Sequence, residues 1–302
     1  MAGSQDFEAD PRNETLRVWL NGELVPRGEA RVSLFDAGFG MGDGVWEGLR
    51  LHKGALLFLN AHLDRLFAGA AAIRLDIGLT RTEIVAALQA VLAANAMTDG
   101  AHLRLMVTRG IKSTISQDPR NALGRPTIAI TAEHKRPAAG NQGGGLALAT
   151  VSVRCTPAAM FDMRLNSHSR LNLITALFEA IEAGADEALM LDPAGFVSSC
   201  NATNFFFAKD GELLTSTGEF CFNGVTRAQV IALCRRHGLP LRLGDFAPEQ
   251  ARAADEAFVT GTLGGITPVR SIDEAVLPAC PGPLTQRIAA LYEDLKDAEA
   301  AR

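Results

Sequence analysis

Asn166-Ser-His-Ser-Arg-Leu-Asn-Leu-Ile174 and, one helix length later, Ala183-Gly-Ala-Asp-Glu-Ala-Leu-Met-Leu-Asp-Pro-Ala-Gly-Phe-Val-Ser-Ser-Cys-Asn-Ala-Thr-Asn204 form the most informative part of this 302-residue chain. Leu171, Ile174, Leu177, Phe178 and Ile181 recur at helical spacing, which predicts a helix over Arg170–Ala183 with these residues on one side. Apolar runs then predict strands near Glu187–Leu191 and Gly195–Ala208, with a hairpin turn at Asp210-Gly211.

Upstream, Arg17-Val-Trp-Leu and Glu23-Leu-Val flank Asn21-Gly22, a strong type I′ hairpin signal. Leu56–Leu59 reads as a strand. Asn60 is placed to cap a helix to about Ile73, with Leu63, Leu66, Phe67 and Ala70 on one face. Thr80-Arg-Thr-Glu83 fits a capping box ahead of Ile84, Leu88, Val91 and Leu92. Strands follow at His102–Thr108, Thr127–Thr131 and Leu146–Val153, and a turn-rich stretch at Pro137–Gly145. Further on, the pattern predicts a helix at Thr226–His237 closed by Gly238, strands at Glu256–Thr260 and Thr267–Ser271, and a last helix at Leu284–Lys296. The order fits a mixed α/β or α+β architecture. The expected division is a domain over 1–154, a linker over 155–165 and a second domain over 166–302.

A hydrophobic content of 47% with 21% charged residues implies a globular chain with a substantial core. A net charge of −5 gives no basic footprint for nucleic acid or membrane. No apolar run approaches the roughly 20 residues of a membrane span. The first ten residues lack the basic and apolar regions of a signal peptide. Cys155, Cys200, Cys221, Cys234 and Cys280 are dispersed, with no metal-type pair. The expectation is a cytoplasmic protein without a structural metal.

Two segments could bind an anion. Gly224-Val-Thr-Arg227 opens a helix, and a helix start offers unpaired N–H groups and a positive dipole end. Thr260-Gly-Thr-Leu-Gly-Gly-Ile-Thr-Pro268 runs a strand into hydroxyl- and glycine-rich backbone. The plainer alternative makes Thr226 an N-cap and Arg227 a solvated side chain. His62 and Arg65 share a helix face and could reach a cleft.

The order of these motifs resembles that of class IV aminotransferases, the fold-type IV pyridoxal-phosphate enzymes. Relatives there include branched-chain and D-amino-acid aminotransferases and aminodeoxychorismate lyase. Gly42-Asp-Gly-Val-Trp-Glu-Gly48, His62-Leu-Asp-Arg-Leu66, Gly224-Val-Thr-Arg227 and Thr260-Gly-Thr with Thr267-Pro-Val269 fall in register with family elements, as does the segment quoted first. The resemblance implies two α/β domains, the second a pseudo-barrel, with the site at their interface and a homodimer completing it. It implies that Arg65, Val225, Thr226 and Thr262 hold the cofactor phosphate, with Ser199 and Asn204 also in the cofactor site; Asn201 and Asn204 could orient a carbonyl or an amide. Trp46 falls at a substrate-facing aromatic position, and Arg109 at a position associated with the substrate carboxylate.

Two family residues are absent. The catalytic lysine falls on Asn166, and the glutamate that meets the pyridine nitrogen falls on Ser199. An amide can neither form an imine nor act as a base near neutrality. Of the lysines at 53, 112, 135, 209 and 296, only Lys112 lies in a loop that the resemblance places beside the pocket. His168 could replace the amine as an acid–base group. Cys200 could be a nucleophile if its pKa were lowered. The leading expectation is a protein that binds pyridoxal phosphate without a lysine Schiff base and acts on a small amino or keto acid. The alternatives are a cofactor-free lyase, isomerase or hydrolase on the same frame, and a non-catalytic binding protein.

Overall fold

The computed structural model describes residues 3–137 and 144–302, so most of the turn-rich stretch expected at Pro137–Gly145 lies outside the described residues. The chain forms two compact units. The N-terminal unit holds Ala9–Arg136, Leu165–Arg170 and Glu299–Arg302; the described residues of 1–8, 137–164 and 171–298 form the C-terminal unit.

In the N-terminal unit, β1 (Arg17–Leu20) and β2 (Glu23–Pro26) form the expected hairpin, with Asn21 and Gly22 both at positive φ. They join β3 (Gly44–His52), β4 (Ala55–Leu56), β5 (Ala101–Thr108) and β6 (Thr127–His134) in an antiparallel sheet of order β2-β1-β6-β5-β3-β4. A short helix, α1 (Ala37–Met41), precedes β3. Helices α2 (Leu59–Ala72) and α3 (Arg81–Ala94) bury Leu63, Leu66, Ile84, Leu88 and Val91 against Leu49, Leu103, Leu105 and Ile130. The Thr80–Glu83 capping box forms as expected. The expected Leu56–Leu59 strand does not extend that far. Phe58 adopts φ 52° and caps α2 in place of Asn60, turning the chain sharply from β4.

In the C-terminal unit, β7 (Leu146–Arg154), β8 (Glu187–Leu191), β9 (Val197–Cys200), β10 (Asn204–Lys209), β11 (Glu212–Thr215), β12 (Leu241–Leu243), β13 (Glu256–Gly261) and β14 (Gly265–Ile272) run in the order β12-β11-β10-β13-β14-β7-β8-β9. The short β15 (Ala275–Val276) pairs with β14. The connecting helices are α4 (Leu171–Glu182), α5 (Val225–Arg236), α6 (Pro248–Arg252) and α7 (Pro283–Ala300). The run Phe205-Phe206-Phe207 is apolar throughout because both faces of β10 are covered. Phe205 and Phe207 join Phe246 and Leu214 on one side; Phe206 joins Phe258, Val230 and Ile288 on the other. The expected strand over Gly195–Ala208 is broken at Asn201–Thr203, where the chain turns from β9 into β10.

The units cut the chain elsewhere than at 154 and 166. Parallel pairing of β7 with β8 and β14 places residues 146–154 in the C-terminal unit. Backbone bonds from Trp46 N–H to the Asn166 carbonyl (2.9 Å) and from His168 N–H to the Gly44 carbonyl (3.0 Å) hold Leu165–Arg170 on β3. On α4 it is Ala176 and Ala180 that pack inward. Leu171 and Phe178 are 76% and 62% exposed, so the large apolar residues face away from the sheet.

Candidate functional site

Alternation along β3 sends Val45, Glu47 and Leu49 towards α2 and places Trp46 on the opposite face. Glu47 therefore enters an apolar layer, where it is fully buried. Its carboxylate accepts two hydrogen bonds from Arg65, at 2.8 and 2.7 Å, and lies 2.7 Å from His62 Nδ1. Burial pushes the Glu47 carboxyl up, but the bonds from Arg65 and His62 outweigh it and leave the pKa below the ordinary glutamate value. Glu47 is the residue that fixes the Arg65 guanidinium.

Asn166 is buried with both ends of its amide engaged. Its Nδ2 donates to the Trp46 carbonyl at 2.5 Å, and its Oδ1 accepts from the Arg170 guanidinium. The Arg170 and Arg104 guanidinium carbons lie 5.3 and 4.0 Å from the Trp46 ring centroid. Burial, with Arg104 and Arg65 nearby, lowers the Arg170 pKa to about 10. Arg104 stacks on the indole but has no hydrogen bond or ion pair among the described residues. Sequence reading missed both arginines. The signal available for Arg104 was a lone cation among the apolar residues of β5, two positions from the partner of Trp46.

His168 is held by its backbone bond to Gly44. Burial lowers its pKa, only partly offset by a bond to the Val45 backbone, so the imidazole is neutral near pH 7. Its Nε2 is buried and has no hydrogen-bond partner. Gly44 is required here, since an added Cβ would lie 2.7 Å from His168 Cδ2 and 2.4 Å from the Val107 carbonyl oxygen.

Two expected roles meet contrary geometry. The Arg109 guanidinium grips Asp43 at 2.6 and 2.9 Å and donates to the carbonyls of Arg74 and Ile73 at 3.0 and 2.8 Å. That is a clamp between strand and helix end, with little donor capacity left for a substrate. Cys200 is buried, and desolvation, followed by the nearby Glu187, drives its thiol well above the usual cysteine value. It is a core side chain, not a nucleophile. Lys112 is also buried, with its ammonium donating to the Ser116 carbonyl at 2.7 Å.

In the C-terminal unit, Asn204 opens β10 and bonds in three directions. Its Nδ2 donates to the Phe222 carbonyl at 2.6 Å and to Ser199 Oγ at 3.1 Å, and its Oδ1 accepts the Gly224 N–H at 3.0 Å. The Ser199 hydroxyl in turn donates to the Thr203 carbonyl at 2.7 Å. Gly224, rather than Thr226, caps α5, without a side-chain hydrogen bond and with no acid in the first turn. Val225 and Thr226 are buried, so the N–H groups of this turn sit within the protein. Arg227 is not solvated: it donates to the Ser216 carbonyl at 2.6 Å and to Asn223 Oδ1 at 3.1 Å, and its Nε is buried without a partner. Thr260 Oγ1, on the residue paired with Asn204, is likewise buried and unpartnered. Thr262 lies in the three-residue loop between β13 and β14.

The uncapped helix start and unpartnered hydroxyl fit the phosphate end of a cofactor. At position 166 there is no amine to meet a cofactor carbonyl. Among the described residues no group of three His, Cys, Asp or Glu side chains could hold a metal ion, and no helix is long and apolar enough to cross a membrane.

Such a frame, with its two sheets, defines a fold-type IV protein. A family model described as amino-transferase class IV matches residues 44–272. The chain is 38% identical over 288 residues to branched-chain-amino-acid aminotransferase-like protein 2 of Arabidopsis thaliana, covering 95% of this chain and 51% of that protein. It thus spans about half the length of that relative. It is 35% identical to a putative branched-chain-amino-acid aminotransferase of Methanocaldococcus jannaschii, covering 93% and 96%. The branched-chain aminotransferase of the thermophilic archaeon Thermoproteus uzoniensis, crystallised with norvaline, has a similar structure, with a TM-score of 0.84, 31% identity and coverage of 94% and 96%. The chain belongs to the class IV aminotransferase family, whose general activity is transamination.

Proposed function

We propose that this chain binds pyridoxal or pyridoxamine 5′-phosphate without a covalent bond to a lysine and acts on a small amino or keto acid. The observation that carries the reading is the contrast between position 166 and the start of α5. The former is an asparagine pinned at both ends, whereas the latter keeps buried anion donors. Val225, Thr226 and Thr262, with Arg65, are the residues we assign to the phosphate. Ser199 and Asn204 are assigned to the ring edge. Bound, the cofactor supplies the electron sink. Ser199 brings no charge, and its proton is directed to Thr203, so it offers the ring nitrogen only a lone pair.

His168 Nε2, neutral and unpartnered, is our choice for the atom that takes and returns the substrate proton. Purified protein incubated with pyridoxal phosphate is expected to show its visible absorbance. Borohydride treatment is expected to leave the mass of the denatured chain unchanged. A borohydride-stable adduct on any lysine would reject the non-lysine mechanism.

Arg104 is the better match to a substrate carboxylate than Arg109, because its guanidinium is half-buried, stacked and unpaired. Arg104→Gln is expected to weaken keto-acid binding by about tenfold or more, since a charge-assisted bond contributes roughly 1.5–3 kcal/mol. Unchanged affinity in a ligand titration would remove this role.

The outward face of α4 fits the homodimer that the resemblance implies. Leu171, Ile174, Phe178 and Ile181 form one exposed stripe, larger than a solvated helix carries without a partner. Sedimentation should report a dimer, and Phe178→Asp a monomer. A monomeric parent chain would contradict the assignment.

A further inference from the structure

Glu187 opens β8 deep inside the C-terminal unit, at 2% exposure. No cation pairs with it among the described residues. Burial raises its pKa, which hydrogen bonding from Ser4 and Thr203 offsets only in part. Two bonds have well-defined geometry. Those bonds join distant pieces of chain. One oxygen accepts the Ser4 backbone N–H at 3.1 Å, and the other accepts the Thr203 hydroxyl at 2.7 Å. Thr203 is the residue whose carbonyl receives the Ser199 hydroxyl, and Asn204 follows it. Ser4, itself buried, passes its carbonyl oxygen within 3.6 Å of where a Cβ on Gly264 would stand. The Thr203 methyl lies 3.4 Å, and Gln5 Nε2 3.9 Å, from where a Cβ on Gly261 would stand. The Gly3–Gln5 segment thus lies against the loop that carries Thr262, and Glu187 ties it to the turn that carries Ser199 and Asn204.

We propose that Glu187 is a positioning residue and that Gly3–Gln5 is a structural wall of the cofactor half-site. The carboxylate sets the register of the Ser199–Asn204 turn against the Gly261–Gly265 loop by holding the Ser4 amide and the Thr203 hydroxyl together. A local device would use a neighbour in sequence; here the contact spans 183 residues. The proposal rests on the reading of this half-site as a pyridoxal-phosphate site, so its test has one arm that needs no ligand.

Ser4→Pro removes the N–H that Glu187 accepts together with the Ser4 hydroxyl, and Ser4→Ala, which keeps the N–H, separates the two. Glu187→Gln keeps an acceptor for that N–H and a polar partner for Thr203, whereas Glu187→Ala keeps neither. Hydrogen exchange of the unliganded full chain is expected to speed up at Ser199–Asn204 and Gly261–Gly265 in Ser4→Pro and Glu187→Ala, with parent-like rates in Glu187→Gln. Pyridoxal-phosphate titration of the same proteins is expected to give about tenfold weaker binding in the first two and near-parent binding in the third, the scale of one lost buried hydrogen bond. Should Glu187→Ala fail to fold, Ser4→Pro still decides. Unchanged exchange in both segments would overturn the positioning role. A parent chain that binds no pyridoxal phosphate would indict the reading of the site, while the exchange arm would still rule on Glu187.

Discussion

Glu47→Ala lowers the stability of the folded chain by about 3–5 kcal/mol, the range for removing one partner from a buried ion pair. The carboxylate is fully buried and accepts from Arg65 twice, with His62 Nδ1 also at 2.7 Å. Its removal takes a buried acceptor from the Arg65 guanidinium and from the His62 imidazole. Arg65 retains 19% side-chain exposure, so some water reaches it and the lower half of the range is the better expectation. Urea denaturation of the parent and variant measures the difference. The pH dependence has a definite sign. The folded pKa of Glu47 lies below its ordinary value, so its contribution is full above the ordinary glutamate range and fades as pH falls through the folded pKa. The gap between parent and Glu47→Ala is therefore expected to narrow in acid. A constant gap from about pH 7 to about pH 3 would mean that the bonded carboxylate is not its source.

Asn204→Ala has the second largest effect, about 3 kcal/mol, because it removes the acceptor of the Gly224 N–H and the donor to the Phe222 carbonyl inside the C-terminal unit. Asn204→Asp is expected to be nearly as damaging. Aspartate keeps an acceptor for Gly224 but turns an oxygen towards the Phe222 carbonyl and adds a buried charge. Inorganic phosphate binding is also expected to fall in both variants, since Asn204 anchors the residue that caps α5. A calorimetric titration with phosphate and a denaturation curve separate the two effects. Full stability in Asn204→Ala would show that the three bonds are replaceable by water.

The local grammar of the chain is legible in its sequence. The Asn21-Gly22 turn, the Thr80–Glu83 box and the Gly238 helix stop depend on neighbouring residues alone, and all three form. What is not legible depends on distant partners. Gly44–Gly48 reads as a glycine-rich motif, but its glycines allow β5 and His168 to approach an interior strand. Helical spacing on α4 identifies the apolar stripe but not its direction, because alanine against the sheet permits close packing and leaves the large residues outside. Arg109 and Cys200 look reactive by residue type, and burial with their bonds removes that reading. Glu187 gives no sequence signal, since its value lies in a contact with Ser4. The pinning of Asn166 is equally invisible, although its lack of an amine is plain.

The Leu165–Arg170 segment has a further consequence for the order in which this molecule assembles. β3 meets β5 along one edge, but β4 covers only the far end of the other, at Leu51 and His52. The bonds that cover Gly44–Trp46 come from residues 166–168. On the ribosome the Ala9–Arg136 part of this unit emerges with that edge bare, open to pairing with a neighbouring nascent chain. The sheet is sealed only once Leu165–Arg170 has followed, so release of the growing chain before Arg170 would free a sticky intermediate.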